Sequence, residues 1–354
     1  MEMTLRWFGP SDAVTLARIR QIPGVRGVVG ALHEVPPGEV WPRDAIDRLV
    51  ETIGSAGLRL PVVESLPVHE DIKLGRTSRD RLADAYAQSL RNLGEAGIGV
   101  VCYNFMPAFD WTRSSLDTRL EDGSTTLAFD PDRFGEGEEG PVELPGWMVA
   151  QRRESVRELI AAYRQVDADA LWANLAYFLE RVVPAAAGSG VRLALHPDDP
   201  PWSIFGLPRI VTDLAALDRV LGLVEDPANG ITFCTGSLGV LPGNDLPSMV
   251  RRLGARIHFV HCRNVRVTGE HRFHETAHPS AAGDVDMRAV LEALHDVGFT
   301  GPMRPDHGRM IWEETGRPGY GLYDRALGAT YLQGLWEGIA SPRRDDRTTS
   351  TTNP

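Results

Sequence analysis

The sequence predicts an α/β protein of the TIM type, a (β/α)8 barrel with a long insert after its fourth strand. Three observations predict it. Short apolar runs alternate with longer helical patterns along most of the 354 residues, the mark of a parallel α/β protein. The apolar runs number eight, the count that closes this barrel. The competing architecture, a doubly wound open sheet, usually carries a Gly-rich first turn, whereas the first run here ends in Gly9-Pro10-Ser11 without GxGxxG.

The elements follow in order. Leu5–Gly9 reads as the first strand, with a helix from about Asp12 to Arg20. Arg26–Leu32 is the second, and its helix spans about Arg43 to Ala56, with Pro42 near the start and Gly57 just past the end, the usual helix punctuation. Leu60–Leu66 is the third strand, Thr77–Ala96 a helix stopped by Gly97, and Gly99–Phe105 the fourth strand. From Pro107 to about Trp147 the alternation breaks into a stretch rich in Gly, Asp, Glu and Pro; a connection this long is usually functional or disordered. Helical periodicity returns over Val149–Ala187. Four further strands follow, at Arg192–His196, Gly230–Cys234, Ile257–Arg263 and Gly301–His307, and then a helix over Leu322–Ile339. One domain is expected over residues 1–340, with residues 341–354 as a polar tail that frays.

Composition narrows the function. Hydrophobic residues make up 42% and charged residues 24%, ordinary for a globular protein with a sizeable core. A net charge of −11 argues against sequence-independent nucleic-acid binding and against an anionic membrane surface. No apolar run approaches the roughly 20 residues that cross a bilayer. The opening MEMTLRWFGPSD lacks the pattern of a secretory leader, and three cysteines are too few for a disulfide framework. A cytoplasmic location and a small-molecule partner are expected, and a homo-oligomer is left open.

The reactive side chains fall at strand ends. His196 ends the fifth strand, Cys234 the sixth, His261 lies near the end of the seventh, and Asp306 near the end of the eighth. A barrel builds its active site at the C-terminal ends of its strands, so two imidazoles, a thiol and a carboxylate are expected to meet there. All four donate lone pairs, which suits a divalent metal. His258 competes with His261; the two face opposite ways in a regular strand, and His261 is nearer the C-terminal end. His307, beside Asp306, is an acid or base candidate. Arg304, Arg309 and Arg263 supply guanidinium forks that match a carboxylate. Tyr320 and Tyr323 lie where a loop could fold back over the site. His271, His274 and His278 cluster after the seventh strand without a compact ligand spacing, so no second metal is expected there.

The runs MEMTLRWFG, ALHEVPPGEVW, VVESLPVHEDIKLG, VVCYNFMPAFDWTR, HFVHCRNV and RPDHGRMIW resemble the motif set of the mannonate dehydratases, from the first residues to about Glu337. The resemblance implies a xylose-isomerase-like barrel that removes water from a sugar acid, D-mannonate, to give 2-keto-3-deoxy-D-gluconate in hexuronate (glucuronate) catabolism. It implies Mn2+ or Fe2+ held by His196, Cys234, His261 and Asp306, with His307 and Tyr320 as the catalytic pair. Tyr320 is preferred as base and His307 as acid. Asn104, His69, Arg263 and Arg309 are expected to touch substrate, since each sits just past a strand end. Two alternatives stand beside this reading. One is isomerisation or phosphodiester hydrolysis on the same barrel, chemistry that generally uses carboxylate-rich, two-metal sites. The other is a non-catalytic sugar-acid sensor, which would be expected to lose its acid and base residues first.

Overall fold

The computed structural model describes residues 1–134 and 153–341. The chain's twelve strands among these residues are β1 (Glu2–Arg6), β2 (Gly27–Gly30), β3 (Arg59–Glu64), β4 (Val100–Tyr103), β5 (Ser115–Arg119), β6 (Thr125–Phe129), β7 (Arg192–Leu195), β8 (Asn229–Cys234), β9 (Ile257–His261), β10 (Val265–Gly269), β11 (Arg272–Glu275) and β12 (Pro302–Arg304). Eight of them close a parallel barrel in the order β1-β12-β9-β8-β7-β4-β3-β2. These eight are the strands read from the apolar runs.

Apart from β8, which ends at Cys234 as expected, the barrel strands stop short of the expected C-terminal ends. β1 ends at Arg6 rather than Gly9, and β12 at Arg304 rather than His307. Parallel pairing needs a neighbour at every position, and beyond these points the chains diverge into loops that carry the site.

Helices cover the barrel's outside, and their ends have local causes. Asp12 does not start the first helix: its carboxylate accepts from the Phe8 and Val14 amides, tying down a loop. Thr15 caps instead, and the helix runs Leu16–Gln21. The helical stretch expected from Val149 divides into Arg153–Tyr163 and Ala168–Gly188, because Asp167 accepts from the Ala170 amide and starts a new helix. Residues 149–152 and the tail beyond Ser341 lie outside the described residues.

The remaining strands form a second, antiparallel sheet in the order β10-β11-β6-β5. The described part of the insert is thus a β-hairpin, β5–β6, paired with a hairpin from the loop after β9 through Phe273↔Phe129 and His274↔Ala128. The sequence reading contains none of these four strands. His271 and His274 belong to this hairpin, with His271 stacked on Trp202 at a centroid distance of 4.7 Å. His278 is buried and contacts the Pro305 carbonyl at 2.6 Å, so it supports the turn before Asp306.

The interior divides in two. A large apolar layer lies between barrel and helices. Inside the barrel, Val29, Val62, Val100, Cys102, Ala194 and Phe259 form a small plug.

Candidate active site

Register delivers the side chains. Cys234 pairs with His261 between β8 and β9, and His261 with Arg304 between β9 and β12. Neighbours in register on parallel strands point the same way, so all three project into the barrel in one layer. His196 follows β7 directly, its amide donating to the Tyr103 carbonyl. Asp306 lies two residues past β12 with φ 60°, a left-handed conformation that Asp adopts more readily than most residues. His258, three positions before His261, lies outside this group and meets the Leu193 carbonyl at 2.6 Å. A Cβ on Gly230 would lie 2.2 Å from the His258 ring, so glycine makes its room.

The ligand atoms of His196, Cys234 and His261 all lie within 4.8 Å of one another. His196 Nε2 and His261 Nδ1 are 3.2 Å apart, Cys234 Sγ is 3.8 Å from Asp306 Oδ2, and His261 Nδ1 is 3.8 Å from Asp306 Oδ1. The donor chemistry fits a divalent cation. His196 Nδ1 is 2.6 Å from the Pro197 carbonyl; a carbonyl only accepts, so that nitrogen carries the proton and Nε2 keeps a lone pair when the ring is neutral. Ser237 Oγ donates to Cys234 Sγ at 3.2 Å, as suits a thiolate.

Electrostatics prepares the set. Burial, reinforced by Arg304, holds His261 well below the usual imidazole range, so it is neutral. Burial also acts against charge on His196, but the adjacent Cys234 outweighs it and raises the imidazole to about 9. A metal must displace that proton. Burial opposes ionisation of Asp306, yet Arg304, His307 and Arg263 overcome it and keep the carboxylate well below its ordinary range. Arg304 Nη1 approaches Asp306 Oδ1 to 2.8 Å, and Arg263 Nη1 approaches Oδ2 to 3.2 Å.

Beside this group, His307 Nε2 and Tyr320 Oη are 2.9 Å apart. Tyr320 is buried, which pushes its phenol up. Aromatic walls flank the pair: Phe8 meets Tyr320 edge-on at 4.7 Å, and Trp111, from the insert, meets His307 at 5.4 Å. The pocket is lined by the pair, by Asp306 and His196, and by Arg6, Arg263 and Arg304.

The structure does not bring every expected residue to this pocket. Asn104 and Arg263 line it. His69 lines an adjoining chamber of about 550 Å3, shared with Asn104, and its Nδ1 accepts from the Asp71 amide. Arg309 is not among the lining residues. Its guanidinium binds Asp324 at 2.9 Å and Asp122 at 2.6 Å, clipping the β5–β6 hairpin to the barrel. Tyr323 is exposed and meets Trp312 in a tilted ring contact.

Other site residues were not singled out from the sequence. Glu64 ends β3 and takes Arg304 Nη2 at 3.0 Å; the strand-end rule that found His196 would have found it. Asp199, just past β7, binds Arg263 Nη2 at 2.7 Å and Arg113 Nη1 at 2.8 Å. Glu275 on β11 binds Arg113 Nη2 at 2.7 Å and lies 2.9 Å from His307 Nδ1. Arg113 and Glu275 carried no signal, because the hairpins that position them are absent from the sequence reading.

Known proteins resemble this chain over nearly its whole length. A family model described as D-mannonate dehydratase (UxuA) matches residues 1–345. The chain is 55% identical over 345 residues to mannonate dehydratase 2 of Halalkalibacterium halodurans, covering 96% of this chain and 100% of the relative. It is 55% identical over 354 residues to the mannonate dehydratase of Thermotoga maritima, covering 96% and 98%. Among solved structures, the mannonate dehydratase of Streptococcus suis serotype 2 superposes with TM-score 0.89 at 48% identity, covering 96% and 95%. A D-psicose 3-epimerase from Clostridium cellulolyticum H10, with TM-score 0.57 at 12% identity over 97% and 100%, shares the fold alone.

Proposed function

The chain belongs to the D-mannonate dehydratase family, and from that premise we propose how its residues remove water from D-mannonate to give 2-keto-3-deoxy-D-gluconate. It is a hydro-lyase of the hexuronate pathway. His196, Cys234, His261 and Asp306 hold one divalent cation, Mn2+ or Fe2+, and His307 with Tyr320 moves the protons. One observation carries the reading: three ligand atoms within 4.8 Å of one another stand beside an acid–base pair in hydrogen-bond contact at 2.9 Å.

The reaction takes the proton from C2 and expels the hydroxyl from C3. C2–H is a poor acid because the adjacent carboxylate already carries charge. A bound divalent ion supplies Lewis acidity for that charge, and Arg6, Arg263 and Arg304 line the same pocket. Tyr320 and His307 act as a couple. The phenol passes its proton to His307 Nε2, the phenolate oxygen takes the C2 proton, and the imidazolium gives its proton to the C3 hydroxyl, which leaves as water. Both residues return to their starting forms, and the enol product becomes the ketone. Burial, which keeps the free phenol protonated, also makes its phenolate a strong base once the proton has moved. Asn104 bridges the inner pocket and the outer chamber, a position suited to the substrate's hydroxyls.

The test is product identification. Anaerobic protein loaded with Mn2+ or Fe2+ should convert D-mannonate to a 2-keto-3-deoxy acid, followed by NMR; anaerobic handling protects Cys234. Metal-loaded protein that turns over neither D-mannonate nor related sugar acids refutes the reading.

A further inference from the structure

We propose that Glu275, on the accessory sheet rather than the barrel, is a positioning residue that sets which nitrogen of His307 carries the proton. The inference rests on the dehydratase reading above, because it concerns the ring given the acid's role there. Glu275 is 2% exposed, and its Oε1 and Oε2 lie 2.9 and 3.1 Å from His307 Nδ1. Burial opposes its charge, but His307, Arg263 and Arg113 keep the carboxylate ionised. An ionised carboxylate only accepts, so its two short contacts favour a proton on Nδ1. Nε2 of the neutral ring is then a lone pair aimed at Tyr320 Oη, and it can take the phenol's proton.

The opposite tautomer has a competitor ready to enforce it. Arg263 Nη1 lies 3.1 Å from the same Nδ1, and a guanidinium only donates. With Glu275 in place, two carboxylates compete for Arg263 Nη1, with Asp306 Oδ2 at 3.2 Å and Glu275 Oε1 at 3.5 Å. Without the carboxylate, Nδ1 accepts from Arg263, the proton resides on Nε2, and Tyr320 faces a donor. The glutamate's own position is fixed by Arg113, whose Nε and Nη2 both donate to Oε1, at 3.1 and 2.7 Å. In Glu275→Gln the charge is lost: the oxygen at the Oε1 place, shared with Arg113, becomes a weaker neutral acceptor, and the NH2 at the Oε2 place faces Nδ1 as a donor beside Arg263. The hairpin that carries β11 therefore has a chemical task as well as a structural one.

The experiment uses full-length protein labelled with 15N-histidine, loaded with diamagnetic Zn2+ for NMR and with Mn2+ for kinetics. The His307 signals are assigned by their loss in His307→Asn. In the natural protein Nδ1 should be protonated, and in Glu275→Gln it should not. Glu275→Gln should lose kcat by about 10²–10⁴-fold, the range of a disabled acid–base step, with KM for D-mannonate and bound Mn2+ stoichiometry unchanged. Glu275→Asp, which keeps the carboxylate, should retain the Nδ1 proton and recover kcat relative to Glu275→Gln. An unprotonated Nδ1 in the natural protein overturns the proposal. So does a Glu275→Gln enzyme with kcat within about threefold of it, or a loss explained wholly by metal release. Failure of the natural protein to dehydrate D-mannonate would instead count against the reaction, and the tautomer measurement would still judge Glu275.

Discussion

Arg113→Met should destabilise the protein far more than any surface arginine substitution. The Arg113 side chain is 0% exposed. It donates to Asp199 Oδ1 at 2.8 Å and Oδ2 at 3.0 Å, to Glu275 Oε1 through Nε and Nη2, and to the Thr112 carbonyl at 2.9 Å. Charge-assisted bonds contribute about 1.5–3 kcal/mol each, but they are not independent. Arg263 Nη2 still holds Asp199 after the substitution, and His307 still faces Glu275. What is lost is the partner of two carboxylates that stay buried, a change that typically costs about 3–5 kcal/mol. Methionine fills much of the space, so the loss reports charge rather than a void. Urea unfolding followed by far-UV circular dichroism gives the number. Arg48→Met is the control, since its pair with Asp44 has side chains 67% and 71% exposed, and its midpoint should not move. An Arg113→Met loss below about 1 kcal/mol, the level of surface pairs, would refute the account of a buried, mutually dependent charge group.

Other expectations follow from the same contacts. Cys234→Ala should weaken Mn2+ binding by more than the roughly 10–100-fold typical of a supporting residue, read by titration calorimetry; unchanged affinity would remove the sulfur from the ligand set. His258→Ala should cost about 1–3 kcal/mol, because it removes a buried ring together with its hydrogen bond to the Leu193 carbonyl, while metal stoichiometry stays intact; metal loss there would reopen the choice between His258 and His261. Arg309→Ala should loosen the β5–β6 hairpin, seen as faster amide exchange over Thr125–Phe129, and leave KM for D-mannonate within about threefold; a large rise in KM would return Arg309 to the pocket. Asp199 and Glu275 both have depressed folded pKa values against the pull of burial, through Arg113 and Arg263 for the first and His307, Arg263 and Arg113 for the second. Their stabilisation is complete above the unfolded carboxylate range and is lost as pH falls through the folded values. Stability should therefore drop steeply below about pH 4, and a flat profile from pH 5 to pH 2 would contradict the ion-paired assignment.

What the sequence determined by itself was the barrel and the mouth. Burial on both faces makes a parallel strand a continuous apolar run, so β8 and β9 are legible without any partner, and the residue where each run ends marks the C-terminal rim. That local fact located His196, Cys234, His261 and Asp306, and parity within one strand separated His261 from His258. Tertiary structure alone decided the rest. β5, β6, β10 and β11 mix polar and apolar residues, so no continuous apolar run marks them, and they become a sheet only because two distant loops pair over the mouth. Whether Arg263 or Arg309 faces the pocket depends on which carboxylates the fold brings near each, and Asp122 and Asp324 claim Arg309. Glu275 has no signature for the same reason. Its task is set by the ring it touches, 32 residues away along the chain, and sequence spacing carries no information about a contact created by closing a barrel and folding a hairpin across it.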